Sequence, residues 1–392
     1  MSKKIALSLL CALSLSANES QTLTLEQKVE MLEQKVQALQ LESAKKQHQN
    51  NSSSFSQNAY LPDIALILNM SSVARNVDNT EYANYAIPGF VNASQAQIPF
   101  NKNRGFNLNY AELALHSSVD PYFEAFAMLH IHPDHMEIGE GYIKTTSLPF
   151  GLGIKAGKFK SSFGRINSKH QHAWNFDEQP VIYRAIFGPG SLGDTGVSTQ
   201  WVAPTDTYLM VGVELLQGTN GRSFGDTEKN NLNVAYLKTS VDMTESLSAL
   251  TGVSFARGKN TLGDDTDIYN AELTMQQQLD SYSALTWQSE YLYRNRKDAP
   301  SDAKQAGFYT QLVYKYDKNY ATGVRYDGIV KNSVDDLKKY TAMVEYHPFP
   351  MSRLRLSYSY DKTKLIDGER KNIQTMMLTL NIAAGAHGAH DY

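Results

Sequence analysis

Five histidines form the densest group of metal-ligand side chains in the sequence: His130 and His132, then His135 beyond Pro133 and Asp134, then His170 and His172. Neutral imidazole, with the carboxylates of Asp177 and Glu178 near the second pair, is the donor set that zinc and similar divalent ions accept. His130 and His132 stand two apart in a segment whose alternate residues, Phe123, Ala125, Ala127, Leu129 and Ile131, are apolar. Both imidazoles are therefore expected on the opposite face, with Tyr122, Glu124, Phe126 and Met128. Two histidines on one strand lie ~7 Å apart and need outside donors to hold one ion. Two readings stand side by side: a transient zinc-sampling site, and hydrogen-bonded polar residues free of metal. Neither requires a resident cofactor.

A second set of residues is charged. Ser161 to Thr195 is too long for a simple hairpin and contains Pro180-Val181-Ile182-Tyr183-Arg184-Ala185-Ile186-Phe187, which should not face water. Folding into the lumen of a barrel would cover that stretch. Asp177, Glu178 and Arg184 would then lie in a constriction with lumen-facing Arg325, Lys339, Arg353 and Arg355. The alternative is an outer loop packed on a neighbouring subunit. No Gly-x-Ser-x-Gly, His-Glu-x-x-His or phosphate-cradling glycine loop is present, and no enzyme is expected.

The elements that position these residues follow a period of two. Leu209, Val211, Val213 and Leu215 alternate with Tyr208, Met210, Gly212 and Glu214. Leu354, Leu356, Tyr358 and Tyr360 alternate with Arg353, Arg355, Ser357 and Ser359. One face is apolar and the other wet, as a strand between lipid and lumen requires. Short turns at Asp120-Pro121, Leu148-Pro149-Phe150-Gly151, Pro204-Thr205-Asp206, Thr244-Glu245, Asp280-Ser281, Asp317-Lys318-Asn319 and Pro348-Phe349-Pro350 alternate with longer connections over 76–104, 161–195, 217–231, 259–267 and 298–305. That asymmetry predicts an all-β transmembrane antiparallel barrel of about 16 strands over 61–392.

The rest of the chain fits. Lys3 and Lys4, the apolar run Ile5 to Leu15, and Ser16-Ala17 read as a signal peptide over 1–17. Cys11 is the only cysteine and follows the bulky Leu10, which argues against lipidation. Leu25, Val29, Leu32, Val36 and Leu39 form a heptad seam, so a periplasmic coiled-coil helix is expected over 22–43, with a polar linker over 44–60. Two to three heptads are too few to fold alone, so the seam needs copies of itself; the other reading is a solitary helix on the barrel rim. Past the signal no segment offers the ~18 apolar residues of a spanning helix, so a membrane location implies a closed barrel. With 23 Tyr and 15 Phe the chain is rich in the residues of interfacial girdles, and a net charge of -3 excludes a strongly basic nucleic-acid binder.

Several motifs stand out: Leu61-Pro62-Asp63-Ile64, Ile87-Pro88-Gly89-Phe90, Glu140-Gly141-Tyr142-Ile143-Lys144-Thr145 before Leu148-Pro149, and Lys155-Ala156-Gly157-Lys158-Phe159. Further on come Asn167 to Phe176, with its His170-Gln171-His172-Ala173-Trp174 core, then Trp201 to Asp206 and Gly385 to His390. Together they resemble those of bacterial porin-like outer-membrane proteins labelled zinc-regulated outer-membrane receptors or porins, related to phosphate-selective-type porins. Asn175 departs from the acidic residue common in that family after the histidine–tryptophan motif. The resemblance implies an outer-membrane channel, a homotrimer, and zinc as a solute. The receptor label implies energised uptake, yet such receptors have ~22 strands around a plug, and nothing before Leu61 could make one.

A passive channel for small hydrophilic solutes or ions, set in outer-membrane lipid, is therefore expected; the alternative is a barrel that anchors surface-binding loops without conducting. Charge selectivity stays open at this stage. Arg325, Arg353 and Arg355 argue for anions, whereas Glu112, Glu124, Glu140, Glu214, Glu272, Glu290 and Glu345 argue for cations.

Overall fold

A computed structural model describes residues 62–90, 98, 100–132, 135–220, 222–225, 230–297, 302–331 and 337–385. The expected signal peptide, coiled coil and linker lie outside the described residues, as do Pro133, Asp134 and the terminal Tyr392.

The strands are β1 (Asp63–Arg75), β2 (Gly105–Asp120), β3 (Phe123–Ile131), β4 (Met136–Thr145), β5 (Leu152–Lys160), β6 (Gly193–Val202), β7 (Tyr208–Leu216) and β8 (Leu232–Thr244). The second half runs β9 (Leu247–Lys259), β10 (Asp265–Gln278), β11 (Ala284–Arg296), β12 (Ala303–Lys315), β13 (Tyr320–Lys331), β14 (Leu337–Tyr346), β15 (Ser352–Asp361) and β16 (Ile373–Gly385). Each pairs antiparallel with its neighbours in sequence, and β1 pairs with β16 through Ser71 opposite Thr379. The result is a closed barrel of sixteen strands, which leaves no open edge in the barrel.

The short turns share one end of the barrel through the antiparallel strand order, and an aspartate caps three of them. Asp120 Oδ1 accepts from the Tyr122 and Phe123 amides, Asp280 Oδ1 from Tyr282 and Ser283, and Asp317 Oδ1 from Asn319 and Tyr320. Each aspartate thereby satisfies the amides that a tight turn leaves unpaired.

Alternation then sorts the two faces. Val211, Val213, Leu215, Leu356 and Tyr358 point outward and are exposed, whereas Glu214, Arg355 and Ser357 point inward and are buried. An exposed apolar surface of this extent belongs against lipid. Outward tyrosines gather towards both strand ends: Tyr316, Tyr320 and Tyr346 at the turn end, Tyr269, Tyr340 and Tyr358 nearer the loop end. Tyr320 and Tyr346 stack at 4.9 Å between ring centroids. Such belts are the use the tyrosine excess predicts.

The interior holds an apolar core made largely by connections. The first, 76–104, carries α1 (Asn79–Ala83), capped by Asp78, and contributes Tyr82, Tyr85 and Ile87. The third, 161–192, carries α2 (Val181–Phe187), whose Ile182, Tyr183, Ile186 and Phe187 are buried with Phe163 and Ile166 against Leu292, Tyr309 and Ile329 of the wall. At ~1.5–3 kcal/mol per fully buried large apolar side chain, these contacts favour the inward position strongly. Gly307 makes the approach feasible, since a Cβ there would meet Ile182 at 2.8 Å.

Candidate functional site

The third connection crosses the lumen and is fixed at several places. Glu290 of β11 accepts from the Arg165 amide (2.9 Å), the Ile166 amide (2.9 Å), the Tyr183 hydroxyl (2.6 Å), the Tyr309 hydroxyl (2.5 Å) and Asn270 (3.1 Å). Glu214 accepts from the Ser162 amide, and Lys238 donates to the Gly164 carbonyl while lying 3.3 Å from Glu272. Three glutamates that the sequence presents as lumen acids are therefore occupied in holding the loop or pairing the lysine that holds it.

The expected constriction residues meet in direct contact. Arg355 donates to Asp177 at 3.0 Å and to Glu345 at 2.5 Å, and Ser357 also donates to Asp177. Lys339 pairs with Glu178, and Arg325 donates to the Glu178 carbonyl and to Asp327, whose other oxygen takes the Val181 amide. Arg353 reaches the Trp174 carbonyl and lies 3.7 Å from Glu345. Arg184 turns its guanidinium to the Tyr85 ring of the first connection and acts on Glu178 through its charge. Asp177 and Glu178 thus touch the basic wall directly, and the positive charge of β13–β15 is largely matched by carboxylates. Burial alone would raise Glu178, yet Lys339, Lys364 and Arg184 together hold its carboxyl well below the usual glutamate range.

The histidines gather on another stretch of the wall, β2–β4, separated from β15 by β16 and β1. His170 Nε2 lies 2.8 Å from Glu140 Oε2 and His172 Nδ1 lies 2.7 Å from Glu112 Oε2, so these loop histidines dock on two wall carboxylates. The two rings stack 5.7 Å apart and nearly parallel. His130 Nε2 is 3.5 Å from Glu112 Oε1, and its Nδ1 is 3.5 Å from Glu137 Oε1. His132 Nε2 reaches the same Glu137 oxygen at 3.5 Å, and His135 stacks on His132 at 4.4 Å. Two triads bring their donor atoms within 4.8 Å of one another: Glu112, His130 and His170, and His130, His132 and Glu137. His135 and His172 belong to neither triad among the described residues.

Glu112, Glu137 and Glu140 complete this wall, and sequence reasoning did not join them to the histidines. Glu137 and Glu140 are three apart, which on a regular strand puts them on opposite faces. The register shifts here, with Leu129 opposite Ile138 and Met128 opposite Glu140, so Gly139 is the extra residue of a bulge. Both glutamates consequently face inward. The bulge also seats His130, because a Cβ on residue 139 would lie 2.7 Å from His130 Cε1. A glycine interrupting a strand pattern was the available signal.

No protein-family model matches this chain. An uncharacterized protein of Aquifex aeolicus (strain VF5) is 39% identical over 385 residues, covering 87% of this chain and 82% of that protein. The chain belongs to that protein's family. Its fold is shared with solved porins at low identity. The anion-selective porin from Comamonas acidovorans superposes with a TM-score of 0.56 at 11% identity, over 82% of this chain and 99% of that one. OmpT of Vibrio cholerae gives 0.55 at 10%, over 85% and 99%. The outer membrane channel DcaP of Acinetobacter baumannii gives 0.53 at 13%, over 85% and 99%. The chain thus has a porin-like barrel fold.

Proposed function

We propose that this protein is a passive outer-membrane channel for small hydrophilic solutes and ions, among them divalent cations such as zinc. The observation that carries the reading is the division of charge inside the barrel. The arginines and lysine of β13–β15 are already paired with Asp177, Glu178, Asp327 and Glu345, whereas β2–β4 present Glu112, Glu137 and Glu140 with four of the histidines around them. Such a wall favours cations, and incomplete, adjustable donor sets suit an ion that must also leave. Lower on the same wall, His116, Glu124 and Lys144 continue the polar track towards the turn end. A homotrimer is part of the proposal, supported by the Leu25 to Leu39 seam and by OmpT of Vibrio cholerae, one of whose structures is a trimer form.

Purified protein in planar bilayers should give discrete current steps in potassium chloride, and zinc should modulate them reversibly. Complete absence of conductance would favour the other reading, a barrel that only anchors surface-binding loops.

A further inference from the structure

The two donor triads share one residue, and they share it through different atoms. His130 turns Nε2 towards Glu112 and Nδ1 towards Glu137, and both approaches are 3.5 Å. The Glu137 triad lies at the loop end of β3 and β4 and is the more open, with the Glu137 side chain 54% exposed. The Glu112 triad is deeper, and Glu112 and His170 are both buried. A neutral imidazole has one lone pair, its other nitrogen carrying the proton. His130 therefore ligates on one side at a time unless the ring gives up that proton.

We propose that the two triads form a single hand-off track, in which one divalent cation passes from His132, Glu137 and His130 Nδ1 to His130 Nε2, Glu112 and His170. This rests on the divalent-cation reading of the channel and adds the route and the stoichiometry. Each residue around the inner triad has a defined part. His172 occupies Glu112 Oε2, leaving Oε1 towards His130, and Glu140 holds His170 by Nε2, which orients its ring in the inner triad. Carboxylate–histidine pairs of this kind orient ligands in metal sites. His170 stands on the crossing connection, so the inner position joins the wall to the loop, whereas the outer position uses wall residues alone. Gly139 keeps His130 at the junction, because any side chain there would displace the ring. The Nε2 atoms of His130 and His132 are buried and lack a hydrogen bond among the described residues, as expected of donors kept for an ion.

The test is cobalt(II), titrated into the purified full chain in detergent and followed by its d–d absorption, together with zinc current in bilayers. One ion per chain is expected. His170→Ala and His132→Ala should each keep one binding position and still bind cobalt, yet each should carry less zinc current, relative to its own potassium current, than the unmodified channel. His130→Gln removes the shared ligand and should weaken cobalt by at least the roughly 10–100-fold seen when a supporting contact of a metal site is lost. Gly139→Ala, which keeps every ligand residue but pushes the His130 ring from its position, should weaken it in the same direction. An unchanged β circular-dichroism spectrum and thermal transition confirm that each variant is folded. Two ions per chain, or undiminished binding in His130→Gln and Gly139→Ala, would overturn the track while leaving a divalent-cation channel intact. Failure of the unmodified chain to bind cobalt would remove the metal reading itself, and the track with it.

Discussion

Glu290 takes five hydrogen bonds, three of them from the crossing connection, and a buried donor left unsatisfied costs ~1–3 kcal/mol. Glu290→Ala should therefore loosen the connection, and single-channel conductance should rise together with protease sensitivity between 161 and 192. Unchanged conductance would mean that the apolar packing of α2 suffices. Arginine substitutions test the two faces. Val211→Arg and Leu356→Arg should cost ~2–4 kcal/mol if near the bilayer midplane, whereas Met210→Arg should be accommodated, as read by stability in urea. Ser357 looks equally permissive from alternation alone, yet it is buried and donates to Asp177, so Ser357→Arg should disturb the constriction. At this scale the sequence revealed the histidines, whose type is informative by itself. Their carboxylate partners stayed hidden, since Glu112 lies on another strand and Glu137 and Glu140 share a face only through the bulge.

Strands and turns were legible because each obeys a local rule, alternation for the strands and aspartate capping for Asp120, Asp280 and Asp317. The inward course of the third connection was legible too, from the apolar run at Val181 to Phe187. Its destination was not, since docking on Glu290, Arg355 and Lys339 depends on which wall lies opposite, and only barrel closure decides that. The Glu178–Lys339 contact gives a pH test of this element. Glu178 is depressed in the docked loop, so its stabilisation is fully present above the ordinary glutamate value of ~4.3 and is lost as pH falls through its lower docked-state value. Acid loosening should thus begin below ~pH 4. Lys339→Met removes the foremost of the charges opposing burial, so the carboxyl should rise and loosening should move to higher pH. Conductance recorded across that range reads the shift, and identical profiles would show that Glu178 does not hold the loop.

For the whole molecule, assembly and selectivity are the open quantities. The Leu25 to Leu39 seam is proposed to associate with copies of itself, and the polar 44–60 sequence to decouple it from the barrel. Leu32→Asp combined with Val36→Asp should therefore lower the oligomer mass in mild detergent without changing the barrel's β content. An unaltered mass would place assembly in the barrel wall instead. Selectivity follows from the internal pairing of charge. With the basic wall matched by Asp177, Glu178, Asp327 and Glu345, the carboxylates of β2–β4 are proposed to set the sign of the lumen. The most direct measurement is the reversal potential across a potassium chloride gradient in a planar bilayer. The account predicts current steps whose reversal potential lies on the cation side and moves towards zero in a Glu112→Gln and Glu137→Gln double variant. A reversal potential on the anion side, or no current at all, would contradict it.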